Sequence, residues 1–524
     1  MGALADRCDA DRGGLRFEGD RHALERLRAR LPLGLRVYAV GGSITADFGG
    51  CFGVGCTAVY TSNQSRFGST PRSPYGYLSG LMQRVNASFP GANHAAYNRA
   101  MGGSDCKFVH GCLRSFVPEG AADLVVIEYG VNLCSVQQSR DIVGALQAYN
   151  PPPAIAFLQN FRWCEGETAN ASDPCQHDTH ADNVERLLRA RPGKRHHEMW
   201  GLERQLVVES TLAHCGAAVL SAYFELLPSL IMGPLRTCHI ACRGDGGVHP
   251  NRASRGERHD VLTRTLIDLL VRWLLGVGAP PVGGACELLP TRSACAGTPS
   301  CRSLMTSRLL VTSPPLVTNG SGHNESCAAT GGSRSCYGTH YWMPALRVTN
   351  AGGFVWEKRP VDATGKYRTG SYKPGWVSRQ GGDVLGVALA EMGDLHVQVY
   401  LLHSYANVSA ACLTCGHGCW CEPTWRATQW RFPWSASEPV GIRVHSPRPD
   451  ACELRVSNEP LRSVCVATAA PTRRDIAGLW ALDPSNATTG QVKVDAVVVS
   501  VIGSANQTSG ARIDKAWRPP DYLY

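Results

Sequence analysis

Hydrophobic positions in the first half of the chain fall in short continuous runs, separated by longer stretches with helical spacing. Apolar strands that alternate with helices predict a parallel sheet covered on both faces, which is a three-layer α/β domain. The predicted strands are 36–40, 94–97, 124–128, 154–158 and 217–220. The predicted helices are 75–89, 104–116, 139–149, 181–190, 197–213 and a closing helix at 253–275.

The second half shows a different pattern, because apolar and polar residues alternate there with a period of two. Residues 395–401 carry this alternation, and the runs 441–445, 464–467 and 492–501 resemble it. Several short strands of this kind predict a β-sandwich-like domain. Between the halves lies a stretch rich in Gly, Pro, Ser and Cys. We therefore expect an α/β domain at 1–280, a connector at 281–337 and a β-rich domain at 338–524.

Cysteines and glycosylation sequons indicate the compartment. The 524 residues include 22 cysteines, together with eight Asn-x-Ser/Thr sequons. This combination is typical of an oxidising, glycosylating compartment and predicts a secreted protein or one in the lumen of the secretory pathway. Residues 1–14 contain five charged side chains and no apolar core, so no signal peptide is visible there. The N-glycosylation candidates are Asn63, Asn86, Asn170, Asn319, Asn324, Asn407, Asn486 and Asn506.

The formal net charge of +9 comes from scattered arginines. A nucleic-acid-binding protein would concentrate such charge on one face, so we expect a solvated basic surface and no nucleic-acid partner. The most apolar helix candidate, 261–277, is interrupted by Arg264, Asp268 and Arg272. That pattern predicts an amphipathic helix and no transmembrane segment. Nothing in the sequence indicates the oligomeric state.

Two clusters could suggest a metal. Cysteines 412, 415, 419 and 421 lie close together, but their spacing is too crowded for a zinc ribbon, and an oxidising compartment favours disulfides. Histidines 177, 180, 196 and 197 have very polar neighbours, which are typical of exposed loops and helix ends. We therefore expect neither a metal nor a cofactor.

Four motifs that could carry chemistry follow the predicted strands in order. They are Val37-Tyr-Ala-Val-Gly-Gly-Ser-Ile-Thr45, Asn98-Arg-Ala-Met-Gly-Gly-Ser104, Glu128-Tyr-Gly-Val-Asn132 and Gly244-Asp-Gly-Gly-Val-His-Pro250. Each alone is compatible with an ordinary turn or loop. Three of them follow strands directly, however, and ligands bind at the carboxyl ends of the strands in such sheets. The four together therefore predict one active site.

Taken together, these motifs resemble the four blocks of the SGNH (GDSL-like) hydrolase superfamily over about residues 35–275. The resemblance implies a flavodoxin-like three-layer fold and ester hydrolysis. It implies that Ser43 is the nucleophile, His249 the base and Asp245 the residue that orients His249. It further implies an oxyanion hole formed by the N–H groups of Ser43 and Gly103 and by the side chain of Asn132.

The sequence departs from the family pattern at three places. Gly42 stands where the family has an aspartate before the serine, and Leu133 replaces the aspartate after the block-three asparagine. The spacing Asp245-x-x-x-His249 is one residue longer than in the family. Either an extra glycine loops out and Asp245 reaches His249, or the site works as a Ser-His dyad.

These inferences predict a secreted serine esterase that hydrolyses O-acyl esters, in particular O-acetyl esters, with an acetylated glycan as the candidate substrate. Two alternatives remain open. An O-acyltransferase would use the same serine and differ only in the acyl acceptor. A non-catalytic protein would keep the SGNH scaffold in degraded form and bind polysaccharide or a cell-surface partner.

Overall fold

The chain divides into two compact units, Met1–Thr330 and Gly331–Tyr524, in a computed structural model. Each unit is built around its own sheets. The residues that the structure describes are 14–45, 76–100, 106–130, 134–160, 208–209, 211–232, 240, 261–276, 334–338, 345–357, 375–403, 410–427, 436–448, 452–459 and 492–501.

The first unit alternates strands and helices along most of its described length. Its strands are β1 (Leu15–Phe17), β2 (Arg36–Gly41), β3 (Ala95–Asn98), β4 (Leu124–Glu128), β5 (Ala154–Gln159) and β6 (Ala218–Ser221). Its helices are α1 (Arg21–Arg30), α2 (Tyr77–Ser88), α3 (Cys106–Phe116), α4 (Val136–Gln147), α5 (Ala222–Met232) and α6 (Val261–Leu275). The five strands predicted from sequence are all present, with bounds that differ by one residue at most.

The sheet of the first unit has the order β1-β6-β5-β4-β2-β3. Strands β2 to β6 pair in parallel, and β1 adds to the β6 edge in the antiparallel direction. Counted from β2, the parallel strands follow the order 2-1-3-4-5, which is the flavodoxin-like arrangement. The fold class predicted from the sequence is therefore confirmed for this unit.

Alternate residues of the strands enter the two faces of the sheet. On β4, Leu124 and Val126 belong to a core that also holds side chains from α1, α2, α5 and α6. Val125 and Ile127 point to the other face and are fully buried too. Helices α3 and α4 contact each other and contribute nothing to the first core. The unit thus has helices, sheet and helices in three layers.

Local signals set the starts of two of these helices. Ser135 caps α4, because its Oγ accepts a hydrogen bond from the N–H of Gln138 at 3.1 Å, and the Gln138 side chain accepts one from the N–H of Ser135. This reciprocal arrangement is a capping box. Asp20 caps α1 by accepting from the N–H of Ala23 at 2.7 Å. The cap of α4 fixes the point where the chain leaves the loop after β4.

Three elements of the first unit were not predicted. Strand β1 has only three residues, α1 is dominated by charged residues, and α5 follows β6 without an intervening turn. The predicted helices at 181–190 and 197–213 lie largely outside the described residues. The closing helix was predicted at 253–275, and the structure describes it from Val261 to Leu275.

The second unit consists of strands that form two antiparallel sheets. They are β7 (Arg334–Gly338), β8 (Val348–Asn350), β9 (Val355–Glu357), β10 (Gly375–Ser378), β11 (Val384–Leu389), β12 (Gly393–His403), β13 (Ala410–Cys415), β14 (Trp420–Cys421), β15 (Thr424–Ala427), β16 (Ala436–Ser446), β17 (Cys452–Glu459) and β18 (Val492–Val501). One sheet has the order β14-β16-β12-β18-β10-β9, with β7 also pairing with β18. The other has the order β15-β13-β17-β11-β8.

A single hydrophobic core joins these two sheets. Val397 and Val399 of β12 and Val444 of β16 enter it from one sheet, while Leu413 of β13 and Leu454 of β17 enter it from the other. The period-two pattern of residues 395–401 therefore marks a strand with one face in this core. The predicted β-sandwich-like fold is confirmed. All but the last residue of strand β7 lie inside the range expected for the connector.

Disulfides account for the cysteine cluster of the second unit. Cys415 bonds to Cys421 and Cys419 bonds to Cys452, with Cα–Cα distances of 5.7 and 4.9 Å. Cys412 is also disulfide-bonded. The disulfides predicted at these positions are therefore confirmed. The four histidines considered for a metal lie outside the described residues.

Among the described helices, none is both long enough and apolar enough to cross a bilayer. Helix α6, which covers most of the one candidate span, has fifteen residues. Its buried side chains, among them Leu262, Leu266 and Trp273, pack into the core of the first unit.

Candidate active site

The candidate nucleophile Ser43 lies in a tight turn that begins at the carboxyl end of β2. Its side chain is half-buried, whereas Gly41, Gly42, Ile44 and Thr45 around it are buried. The N–H of Gly42 donates a hydrogen bond of 3.1 Å to the main-chain oxygen of Glu128 at the end of β4. This bond extends the pairing of β2 with β4 one residue beyond the strand and fixes the start of the turn.

The turn packs so closely against β4 that Gly41 has no room for a side chain. A Cβ atom at this position would lie 2.7 Å from the main-chain oxygen of Glu128 and would clash with the hydroxyl of Thr45. Because φ of Gly41 is not positive, the glycine is required by this close approach and not by its backbone conformation.

Strand order places this turn at the point where ligands bind in such sheets. Strand β2 has β3 on one side and β4 on the other, so the connections that leave β2 and β4 run in opposite directions. A crevice forms at the carboxyl ends of two such strands. The turn that holds Ser43 follows β2, and the motif Glu128-Tyr-Gly-Val-Asn132 begins in β4 and continues past its end.

Thr45 ties the end of the turn to three other elements. Its Oγ1 donates a hydrogen bond to Glu128 Oε2 at 3.1 Å and lies 2.9 Å from the hydroxyl of Tyr77 in α2. The side-chain amide of Asn98, at the end of β3, donates to the main-chain oxygen of Thr45 at 2.7 Å. The Asn98 side-chain oxygen in turn accepts from the N–H of Ala100. All of these bonds are buried, so the turn is held rigidly.

Glu128 is fully buried beneath this turn. Its Oε1 has no hydrogen-bond partner among the described residues, while its Oε2 accepts from Thr45. Burial raises the pKa of the Glu128 carboxyl to about 8, although hydrogen bonds from the side chain and main chain of Thr45 act in the opposite direction. The site therefore favours the neutral form of the Glu128 carboxyl at pH 7.

A disulfide joins the starts of the two helices that follow β3 and β4. Cys106 opens α3 and bonds to Cys134, which lies just before α4, with a Cα–Cα distance of 5.1 Å. Cys106 comes three residues after the block-two glycine, Gly103, and Cys134 comes two residues after Asn132. In sequence, the two bonded cysteines therefore directly follow the segments that carry the candidate oxyanion-hole residues.

Of the predicted site residues, Ser43 lies in the described part of the chain. Gly103, Asn132, Asp245 and His249 lie outside it, so their roles stay predictions. Seven of the eight sequons also lie outside it. The eighth, Asn86, is exposed near the end of α2.

Glu128, Thr45, Tyr77 and Asn98 were not predicted from the sequence to be functional residues. Glu128, Thr45 and Asn98 were nevertheless inside the motifs, and an acid that ends the most apolar strand was the clearest available signal. Tyr77 stood in a predicted helix and carried no signal. No cluster of three or more potential metal ligands occurs among the residues that the structure describes.

No family model matches the chain, and no curated protein matches it. Solved structures similar to the chain include a two-domain esterase active on acetylated mannans, with 14% sequence identity and a TM-score of 0.49 over 94% of this chain and 99% of that chain. Another is Axe2, an acetylxylan esterase from Geobacillus stearothermophilus, with 15% identity and a TM-score of 0.30 over 46% of this chain and 94% of that one. A third is LAE5, an α/β hydrolase enzyme from the metagenome of Lake Arreo, with 14% identity and a TM-score of 0.29 over 46% and 95%.

Proposed function

We propose that this chain is a serine esterase of the SGNH type that hydrolyses O-acyl esters, in particular O-acetyl esters on a glycan. One observation carries the proposal. Ser43 is held in a tight, closely packed turn at the carboxyl end of β2, beside the point where the strand order reverses. A half-buried serine at such a point is accessible and yet fixed in position, as a nucleophile requires.

The proposed mechanism uses at least one residue from each of the four motifs. His249 removes the proton from the Ser43 hydroxyl as the Ser43 oxygen attacks the ester carbonyl. The N–H groups of Ser43 and Gly103 and the side-chain amide of Asn132 donate to the resulting oxyanion. His249 then passes the proton to the departing alcohol. In the second half-reaction His249 removes a proton from water as the water oxygen attacks the acyl-enzyme, and it returns that proton to the Ser43 oxygen as the carboxylic acid leaves. Asp245 orients the His249 imidazole.

The cellular setting is also a proposal, and two features support it. Ten cysteines of the described residues are disulfide-bonded, which is typical of an oxidising compartment. Asn86, the sequon within the described part, is exposed and therefore accessible to glycosylation. Together they favour a secreted enzyme that would meet polysaccharides outside the cell.

Hydrolysis of a chromogenic acetyl ester by the purified protein tests the activity, and acetate release from an acetylated polysaccharide tests the substrate class. The wild-type protein should be active on both, and Ser43→Ala should be inactive. Asn132→Ala should lower turnover about 10²–10³-fold, the usual effect of removing one oxyanion-hole donor. Activity that survives in Ser43→Ala would contradict the proposal.

The two alternatives give distinct results in the same experiment. An O-acyltransferase would release acetate slowly in water. It would form the acetylated product faster when an alcohol acceptor is added, and Ser43→Ala would lose both reactions. A non-catalytic binding protein would hydrolyse neither ester.

A further inference from the structure

Glu128 contacts the Ser43 turn at both of its ends. Its main-chain oxygen accepts the hydrogen bond from Gly42, one residue before Ser43, and its carboxyl accepts the hydrogen bond from Thr45, two residues after Ser43. The conformation of the turn therefore depends directly on where Glu128 sits and on which atoms its carboxyl presents.

We propose that Glu128 is a positioning residue for the nucleophile, which holds the Ser43 turn through its main-chain oxygen and its carboxyl. This inference rests on the proposed function and deepens it, because it names the residue that keeps the nucleophile in place. Glu128 does not touch the reacting atoms in this account. It acts through Gly42 and Thr45.

The surroundings of Glu128 favour its neutral form. Facing it are Thr45 from the turn and, through Thr45, Tyr77 of α2 and Asn98 of β3, while the neighbouring strand β5 contributes the apolar Leu158 on the same face. Among the described residues, no charged side chain acts on the pKa of Glu128. The Thr45 hydroxyl, 3.1 Å from Oε2, is the polar side-chain group in direct contact with the carboxyl.

Loss of this proton should impair the reaction. A buried carboxylate without a cationic partner is costly, and it would place a negative charge under the turn from which an oxyanion must be stabilised. Since the pKa of Glu128 is raised to about 8, the fraction of enzyme with a neutral Glu128 falls as the pH rises through that value. The rate of ester hydrolysis should therefore fall on the alkaline side, in addition to the acid limb due to His249.

The pH–rate profile of Glu128→Gln tests this directly. Glutamine is neutral at every pH and can still accept from Thr45, so the variant should keep the acid limb and lose the alkaline limb near pH 8. Glu209→Gln is the matched control, because Glu209 is also buried and its pKa is also raised, to about 7, but it pairs with Arg16 of β1 at 3.2 Å, outside the proposed site. That variant should keep both limbs. An alkaline limb that persists in Glu128→Gln would overturn the proposal.

A second pair of variants tests the contact at the other end of the turn. Thr45→Val removes the side-chain donor to Glu128 and should lower kcat about tenfold with little change in KM, as expected when positioning of the nucleophile is lost. Thr45→Ser keeps the hydroxyl and should restore kcat. Equal kcat in the two variants would overturn the proposal even if Glu128→Gln does not fold. Absence of Ser43-dependent hydrolysis in the wild-type protein is a different result, because it would overturn the proposed function itself.

Discussion

Gly41 and Glu128 are direct neighbours across β2 and β4, and a Cβ atom on Gly41 would lie 2.7 Å from the main-chain oxygen of Glu128. The space that a side chain would need is already filled by Glu128 and by the Thr45 hydroxyl. The first glycine of the Gly-Gly-Ser motif is therefore a packing requirement of the turn. The account of the site depends on this close approach.

Gly41→Ala should force β2 away from β4 at the start of the turn. We expect the free energy of unfolding to fall by about 1–3 kcal/mol, as for overpacking in a well-packed interior. We also expect Ser43 to react more slowly with a fluorophosphonate. Urea unfolding and labelling rates measure the two effects. Gly91→Ala is the control, since a Cβ there would meet no atom within 4 Å. If both variants behave like the wild type, the turn is not closely packed.

The stability of the protein should depend on pH through Glu128. Its pKa is about 8 in the folded protein, compared with 4.5 for the unperturbed group, so between these values the folded state holds a proton that the unfolded state has released. Stability from this source therefore falls as the pH rises from about 4.5 to 8 and is level at higher pH. Glu128→Gln should flatten this fall, as measured by urea unfolding at several pH values.

Glu209→Gln provides the comparison for this measurement. The pKa of Glu209 is raised by burial to about 7, partly offset by Arg16, so its contribution to the fall in stability should be complete at a lower pH. Glu209→Gln should therefore reduce the pH dependence of the free energy of unfolding only below about pH 7. A curve for Glu128→Gln that is parallel to the wild-type curve over the whole range would contradict the neutral state of Glu128.

The Cys106–Cys134 disulfide should matter for both stability and activity. The two residues are 28 apart in sequence, and a loop of that length corresponds to about 3–4 kcal/mol of stabilisation in the chain-entropy estimate. Cys106→Ser combined with Cys134→Ser should therefore destabilise the first unit. Because the two cysteines directly follow the segments that carry Gly103 and Asn132, we also expect ester hydrolysis to fall.

The matched control for this experiment is the second unit's Cys415–Cys421 disulfide, whose residues are 6 apart. Cys415→Ser combined with Cys421→Ser should leave the rate of ester hydrolysis unchanged. The rate per folded molecule is the quantity to compare. If the two double variants hydrolyse the ester equally fast, the Cys106–Cys134 bond has no part in shaping the site.

The assignment of His249 as the base predicts the shape of the pH profile of kcat/KM on its acid side. His249 accepts the Ser43 proton only in its neutral form, so kcat/KM should rise with pH through about 6–7. If an inserted glycine loops out and Asp245 reaches His249, Asp245→Asn should lower the rate by orders of magnitude, because the wrong imidazole tautomer is favoured. A decrease of less than about threefold would indicate a Ser-His dyad. A flat profile would exclude His249 as the base.

The parts of the fold that could be predicted are those with strong local patterns. Strand β4 was predicted at 124–128 and is found at Leu124–Glu128, because a continuous apolar run has few alternatives in a parallel sheet. Strand β18 was likewise predicted at 492–501. Helix α1 was missed because charged residues dominate Arg21–Arg30 and only Ala23, Leu24 and Leu27 of it are buried. Its function as a cover for the sheet depends on tertiary packing.

The candidate site also combines features with a local sequence pattern and features that depend on tertiary packing. Ser43 could be predicted because its motif is a short continuous stretch of sequence. The bonds of Glu128 to Gly42 and Thr45 were not, since they depend on the register of β2 against β4, which are more than eighty residues apart. A buried glutamate at the end of an apolar strand is visible in the sequence, but its partners become visible only when the strands are paired.

Labelling with a fluorophosphonate, followed by peptide mapping of the adduct, tests the central claim most directly. The reagent forms a covalent bond with an activated serine and requires no knowledge of the natural substrate. The account predicts one adduct per chain, located on Ser43, and no adduct in Ser43→Ala. An adduct on a different residue, or equal labelling of wild type and Ser43→Ala, would contradict it.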